Sequence, residues 1–159
     1  MRELMLIVVT CSQLLVAGSA VGQVETARYE RATFGAADGG QCEESATDVV
    51  VDSRLLKVQA RAGWGGELRK CSLARREYIR FWAKAFALSA SLVETYQQEI
   101  LLAEGERKYW IPLQEPLVEP LQEELAGGGE LTVFVVYAGC LGREPIFLAT
   151  EFDASKPDS

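Results

Sequence analysis

The chain has 159 residues, of which 48% are apolar and 25% charged, a composition typical of one globular domain. It contains no histidine, which excludes Ser-His-Asp and Cys-His catalytic groups and the usual histidine-ligated catalytic zinc sites. The net charge of −7 disfavours a nucleic-acid-binding protein, because such proteins are usually basic.

The amino-terminal segment, residues 1–22, has the pattern of a cleavable export signal. Arg2 precedes an apolar run at 4–9, and small residues fill positions 18–22. This charged start, apolar middle and small-residue end is typical of a secretory signal. We expect cleavage before Gln23, with cleavage after Ala20 as the alternative. An uncleaved membrane anchor is disfavoured, because polar residues interrupt the apolar run and no basic flank follows it.

Residues 23–47 predict a flexible amino-terminal arm, because positions 35–40 are small and turn-prone and positions 43–45 are polar. A single globular domain is predicted over 48–153, followed by a disordered tail at 154–159. Three consecutive valines predict a first strand at 49–51. We expect the glycines at 63, 65 and 66 to interrupt the apolar pattern that follows.

A helix is predicted over 73–88, with Ser72 capping its amino terminus. Its apolar face recurs at helical spacing and comprises Tyr78, Ile79, Trp82, Ala83 and Phe86. Arg76, Arg80 and Lys84 lie four residues apart on another face. Between positions 69 and 84 there are six basic residues and one acidic residue. These three side chains are therefore a candidate patch for an anionic partner, although a solvated helix surface is the favoured explanation.

The segment 92–103 fits either a helix, capped at Ser91, or the first strand of a hairpin completed at 109–114. We favour the hairpin, because a buried strand at 109–114 needs a paired neighbour. Pro112 and Pro116 are expected to end that strand, and a short helix should begin near Pro120 and end at the glycines 127–129. A second hairpin is predicted from strands at 131–137 and 146–152 around a glycine-containing loop.

The predicted order of strands and helices indicates an α+β fold. We expect a small antiparallel sheet or partly open OB-like barrel with one or two packed helices after the signal segment. This order alone carries no function.

Three cysteines follow the predicted signal. In an exported chain a disulfide is expected, and an odd count leaves one free thiol. We favour a pair between Cys42 and Cys71, with Cys140 as the odd thiol. Pairs of Cys140 with either of the other two are the alternatives. The three residues lack the close spacing of a zinc site, and no calcium-binding pattern occurs, so we expect no metal or cofactor.

The leading functional hypothesis is an exported, non-catalytic protein that binds a macromolecular partner in the cell envelope or outside the cell. The alternative is an exported hydrolase that uses paired carboxylates, although no acidic pair stands out among the many acidic residues. A membrane-tethered accessory protein is a third interpretation. We expect membrane contact only during export or weakly at the surface, and the sequence does not define the oligomeric state.

Overall fold

The computed structural model describes residues 28–45 and 48–154. The predicted signal at 1–22, its cleavage position and the tail residues 155–159 lie outside the described residues, as do 23–27 and 46–47.

The described part of the chain forms seven strands and five helices. The strands are β1 (Glu30–Arg31), β2 (Val49–Val51), β3 (Lys57–Lys70), β4 (Gln98–Glu104), β5 (Arg107–Leu113), β6 (Gly129–Leu141) and β7 (Glu144–Asp153). The helices are α1 (Phe34–Asp38), α2 (Gln41–Glu44), α3 (Leu73–Ala85), α4 (Ala90–Glu94) and α5 (Val118–Glu124), with a 3-10 turn at Glu115–Leu117 before α5.

Five of the strands close into a barrel in the order β3–β4–β5–β7–β6, and β6 pairs back onto β3. Strands β5 and β7 run parallel at Leu113 and Ala149, and the other pairs of the ring run antiparallel. The short strands β1 and β2 pair with β3 and β6 outside this ring. This arrangement fits an OB-like barrel and confirms the predicted α+β class, with a barrel that is closed rather than partly open.

The barrel interior holds a large apolar group, which we call the inner cluster. On β6, alternate side chains point inward, as the two-residue period of a strand requires. Phe34 of α1 and Leu121 of α5 close the cluster, and both are fully buried. Its members include Phe34, Val58, Ala60, Trp64, Ile100, Leu102, Ile111, Leu113, Leu121, Leu131, Val133, Val135, Tyr137 and Phe147.

Helix α3 covers the opposite face of β6 and β7, where a second group forms the outer cluster. Its members include Cys71, Tyr78, Ile79, Trp82, Ala83, Val93, Tyr96, Val136, Ala138, Ile146 and Leu148. The predicted helix start is confirmed, because the Ser72 hydroxyl accepts a hydrogen bond from the Arg75 amide at 3.2 Å. The helix ends at Ala85 rather than at 88, since Ala87 adopts a left-handed conformation with φ of 53°.

The amino-terminal arm differs from the prediction where the structure describes it. Phe34 is fully buried in the inner cluster, and Cys42 of α2 is also buried. The carboxylate of Glu104 on β4 accepts hydrogen bonds from the backbone amides of Phe34 at 2.8 Å and Gly35 at 3.3 Å. Residues 28–45 are therefore packed on the barrel, and the prediction of a loose arm is wrong for them.

Three strand predictions also needed correction. Strand β3 runs through all three of its glycines: Gly63 pairs in register with Ala103, and Gly65 and Gly66 lie in a bulge between Trp64 and Leu68. Pro112 does not end a strand but pairs opposite Glu99 within β5. The loop of the last hairpin is reduced to Gly142 and Arg143, because residues 138–141 continue β6.

Gly139 explains why that extension is possible. Its φ is 128°, and a β-carbon there would lie 2.1 Å from the Val50 carbonyl oxygen and 2.7 Å from the Tyr78 hydroxyl. Only glycine allows β2 and α3 to approach β6 this closely.

The segment 92–103, which fits either a helix or a strand by sequence, contains the end of a helix followed by a strand. Helix α4 is capped by Ser89, whose hydroxyl accepts from the Leu92 amide, rather than by Ser91. Strand β4 then begins at Gln98, so the favoured hairpin is confirmed. Helix α5 begins at Val118, two residues earlier than predicted, because Pro120 falls in its first turn, where its missing N–H breaks no helical hydrogen bond.

Candidate functional site

Helix α3 borders five cavities in the described part of the chain. Their volumes are about 510, 460, 450, 410 and 100 Å³, and each is lined by at least one side chain of α3. The helix and α4 form the connection between the first two barrel strands, β3 and β4. In OB-like barrels this connection is one of the segments that commonly contact ligands, so the position of the cavities agrees with the general behaviour of the fold.

The largest of the five, which we call the aromatic cleft, lies between the α3–α4 connection and the outer surface of the barrel. It has a volume of about 510 Å³ and is lined by Tyr29, Leu55, Lys57, Trp82, Leu88, Leu92, Tyr96, Gln114, Val136, Thr150 and Glu151. Three aromatic rings and several aliphatic side chains meet a small number of polar groups. Both the size and this mixture are typical of ligand-binding pockets.

Trp82 provides the most unusual polar group of the aromatic cleft. Its side chain is 4% exposed, and its Nε1 is buried without a hydrogen-bond partner among the described residues. Trp64, which is 5% exposed, donates its indole N–H to the Glu67 carbonyl at 3.2 Å. A buried donor without an acceptor costs free energy, so a ligand that accepts from Trp82 would gain a hydrogen bond where the free protein makes none.

Both tyrosine hydroxyls of the aromatic cleft have hydrogen-bond partners. The Tyr96 hydroxyl accepts a hydrogen bond from Gln114 Nε2 at 3.2 Å, and the Tyr29 hydroxyl lies 2.9 Å from Thr150 Oγ1. Burial raises the pKa of Tyr96 to about 12, so its hydroxyl keeps its proton at neutral pH. The Lys57 ammonium lies 5.4 Å from the centre of the Tyr29 ring and supplies a positive charge to the cleft.

A second cavity, which we call the cationic cavity, lies where β3 meets α3. Its volume is about 460 Å³, and it is lined by Leu68, Arg69, Lys70, Cys71, Arg76, Gln97 and Gln98. Three cationic side chains and two amides therefore surround it, and none of its lining residues in the described chain is acidic.

The structure divides the predicted cationic patch. Arg76 lines the cationic cavity, whereas Arg80 and Lys84 line a different cavity of about 450 Å³ together with Glu94. Arg80 is exposed and forms an ion pair with Glu94 at 3.2 Å. The three predicted residues therefore line two different cavities, and Arg69 and Lys70 are the cationic residues that line the cationic cavity together with Arg76.

A buried network of charges joins α3 to the barrel. Glu99 of β4 is fully buried and pairs with Arg69 at 2.6 Å and with Arg75 at 2.9 Å. Arg75 also pairs with Glu144 and donates to the Trp110 carbonyl at 2.7 Å. The Arg69 guanidinium stacks 3.9 Å from the centre of the Trp110 ring.

Sequence reasoning missed this network, because Glu99 meets its two arginines through contacts between separate elements. Arg75 comes shortly after the Ser72 cap, and no sequence pattern distinguishes it from the other basic residues of α3. The only sequence signal for the network was Glu99 itself, a charged residue within a predicted strand.

The cysteine prediction is corrected by the structure. Cys42 pairs with Cys140, with a Cα–Cα distance of 5.4 Å, and Cys71 is the free thiol. The preferred pair of Cys42 with Cys71 fails because α2 packs beside β6, whereas Cys71 lies in the outer cluster. Burial, with a contribution from the negative charge of Glu99, raises the pKa of Cys71 to about 12, so this thiol is protonated at neutral pH.

The disulfide lies within a group of potential metal ligands. Asp38 Oδ and the sulfurs of Cys42 and Cys140 lie within 4.8 Å of one another, and all three residues are buried. Both sulfurs are bonded to each other, so they are not thiolate ligands while the disulfide is intact.

The cavities give no support to paired-carboxylate chemistry. Among the described residues, each of the five cavities is lined by at most one acidic side chain, namely Glu77, Glu94, Glu144 or Glu151. A glycosidase needs two carboxylates across one cleft, and that arrangement does not occur at these positions.

Comparison with known proteins gives no relative from which a role can be transferred. No family model, no curated protein and no solved structure matches the chain. Among the helices in the described ranges, none has the length and apolar character needed to cross a membrane.

Proposed function

We propose that this is an exported, non-catalytic binding protein that recognises a macromolecule of the cell envelope or the extracellular space through the aromatic cleft. The observation that carries the proposal is that Trp82, which lines this cleft, has a buried N–H without a hydrogen-bond partner among the described residues. The partner supplies the acceptor for this N–H.

The lining of the cleft indicates what part of the partner enters it. Leu55 and Leu88 are 39% and 37% exposed and line the cleft, so part of its apolar lining faces water. An apolar group that carries a carbonyl or carboxylate oxygen complements both this lining and the Trp82 N–H. A side chain or a terminus of a protein partner has this chemistry.

The disulfide supports the assignment to an exported location. Cys42 and Cys140 are both buried and bonded, and such bonds persist mainly in oxidising compartments. The export signal predicted at residues 1–22 agrees with this compartment.

The proposal is tested by photo-crosslinking in the cells that make the protein. A photoreactive benzoylphenylalanine replaces Leu88 in the lining of the cleft, and in a matched variant it replaces Glu123, an exposed residue of α5. We expect one discrete crosslinked species from position 88 and none from position 123. The same crosslink should weaken when Trp82→Phe removes the N–H and keeps an aromatic ring.

Three outcomes would contradict the proposal. These are the absence of a crosslink at position 88, an equal yield at position 123, and a yield at position 88 that Trp82→Phe does not change. Thermal unfolding of each purified variant controls for loss of the fold.

A further inference from the structure

The cationic cavity contains more positive charge than its surroundings neutralise. Glu99 pairs with Arg69, so the charge of Arg69 is balanced. Lys70 and Arg76 form no ion pair with any residue that the structure describes, and both line the cavity. The chain as a whole is negative, with a net charge of −7. Two cations without an ion-pair partner therefore make this cavity a locally positive site.

Arg76 also has a polar atom that needs an acceptor. Its side chain is half-buried, and its Nε is buried without a hydrogen-bond partner in the described ranges. A guanidinium N–H donates most strongly to an anionic oxygen. The group that would complete this arrangement is therefore an anion.

We propose that the cationic cavity binds a phosphate monoester. This group carries close to two negative charges at neutral pH, which matches the two unbalanced cations Lys70 and Arg76. The proposal is independent of the aromatic cleft, since the two cavities share no lining residue.

The number of donors favours a phosphate over a carboxylate. Besides the cations, two residues with side-chain amides, Gln97 and Gln98, line the cavity. Gln97 Nε2 already donates to the Glu94 carbonyl at 2.7 Å, which holds this amide in place. A phosphate monoester offers three acceptor oxygens on its terminal group, whereas a carboxylate offers two, so the phosphate satisfies more of these donors.

The cavity also has room for part of the molecule that carries the phosphate. Its volume of about 460 Å³ is in the range of small-molecule sites. Leu68 and the protonated thiol of Cys71 provide an uncharged wall for that part. The carrier is either a soluble ester or a phospholipid headgroup, and both present the same phosphate chemistry.

Calorimetric titration of the purified full chain tests the proposal. The probes are inorganic phosphate and glycerol 3-phosphate, at an ionic strength held constant with sodium chloride. Flotation with phosphatidylcholine vesicles, with and without phosphatidic acid, tests the lipid source. Binding of the soluble probes would assign a soluble ester, and binding only to vesicles that contain phosphatidic acid would assign a lipid headgroup.

Two variants of the same helix locate the site. We expect Arg76→Gln to weaken binding by about tenfold or more, because it removes a charged hydrogen-bond donor. Arg80→Gln makes the same change of charge one turn away, outside the cavity, and should alter the affinity by less than about twofold. Lys70→Gln changes an exposed residue at the end of β3 and provides a second test should Arg76→Gln unfold the protein.

The proposal is overturned by the absence of binding to all these probes, or by equal losses in Arg76→Gln and Arg80→Gln. Trp82→Phe should leave phosphate affinity unchanged. A failure at the cationic cavity is therefore distinct from a failure of the function proposed for the aromatic cleft.

Discussion

The two faces of the β6–β7 ribbon are packed in different ways. The inner cluster fills the barrel with apolar side chains, and the Tyr137 hydroxyl within it donates to Asp38 at 2.9 Å. The Tyr109 hydroxyl, at the edge of this cluster, is buried without a hydrogen-bond partner among the described residues. The outer cluster lies beside a buried charge network and five cavities. Two polar atoms of α3, Trp82 Nε1 and Arg76 Nε, are buried on this side without partners.

The two buried tryptophans show what this difference means. Trp64 belongs to the inner cluster and has an acceptor for its N–H, whereas the equally buried Trp82 belongs to the outer cluster and has none. Native proteins satisfy most buried polar groups, and each exception calls for an explanation. The α3 side therefore leaves two buried donors, Trp82 Nε1 and Arg76 Nε, without an acceptor among the described residues, which is consistent with the binding that we propose for this side.

The largest expected effect concerns the disulfide that fastens α2 against the barrel. Replacing both partners by Cys42→Ala and Cys140→Ala removes a crosslink between residues 98 positions apart. In the chain-entropy model, closure of such a loop contributes about 4–5 kcal/mol, so the free energy of unfolding should fall by about this amount. Urea unfolding at neutral pH measures the change.

Cys71→Ala is the matched control, because it leaves the disulfide intact. Its cost should be about 1 kcal/mol, the loss of a small buried side chain. A larger cost for Cys71→Ala than for the double variant would mean that Cys71 takes part in the crosslink. Peptide mapping after alkylation under denaturing conditions should find Cys71 labelled before reduction.

The next prediction concerns the charge network under α3. Glu99→Ala leaves Arg75 buried without its partner on β4, which should reduce the free energy of unfolding by about 3–5 kcal/mol. Glu94→Ala removes an exposed partner of Arg80 and should cost about 0–1 kcal/mol. Urea unfolding of both variants measures this difference. Equal costs would show that the buried network does not hold α3 to the barrel.

A smaller effect depends on pH and on the thiol of Cys71. The ordinary pKa of a cysteine is 9.0, whereas burial and Glu99 raise the pKa of Cys71 to about 12 in the folded chain. Above pH 9.0 the unfolded chain releases a proton that the folded chain retains, so the free energy of unfolding falls as pH rises. Between pH 9.0 and about pH 10 we expect Cys71 to contribute a loss of about 1 kcal/mol.

Comparison with Cys71→Ala isolates this contribution. The variant retains every other ionisable group, so its stability should fall less steeply over the same interval. Parallel pH profiles for the two proteins would show that the thiol ionises equally in the folded and unfolded chains. Urea midpoints recorded at several pH values give both profiles.

The elements of the fold that have local sequence signals were predictable. Ser72 and the apolar positions that follow it predicted α3, and the β-branched run at 131–137 predicted the core of β6. The bulge in β3 was not predictable, since glycines at 63, 65 and 66 resemble an interruption unless the neighbouring strand is known. Helix α5 began before Pro120 because proline is tolerated in the first turn.

The candidate site was much less predictable, because its features depend on contacts between distant elements. The pattern of α3 placed Trp82 in the core, and that placement is correct, but no pattern shows whether an indole N–H has an acceptor. Helical spacing indicates Arg76 as a candidate, yet its neighbours in the cavity, Arg69 and Lys70, come from β3. The disulfide partner was misassigned because the position of α2 beside β6 is a tertiary property.

The smallest expected effect tests the end of α3, on the outer side of the ribbon. Ala87 has a positive φ of 53°, and the amides of Ala87 and Leu88 donate to the carbonyls of Lys84 at 3.2 Å and Ala83 at 2.8 Å. This is the Schellman arrangement, in which glycine usually occupies the left-handed position. Ala87→Gly should therefore raise the free energy of unfolding by about 0.5–1 kcal/mol, because an L-residue is strained in this conformation.

Ala85→Gly provides a control of opposite sign two residues earlier. Ala85 lies in the last turn of α3, where glycine loses more conformational freedom on folding, so the free energy of unfolding should fall by about 0.5–1 kcal/mol. Thermal and urea unfolding of the two variants distinguish the effects. Both variants replace one alanine by glycine, so any difference in stability comes from the position of the substitution. A destabilising Ala87→Gly would mean that the left-handed turn is absent, and the position of Leu88 in the lining of the aromatic cleft would then need revision.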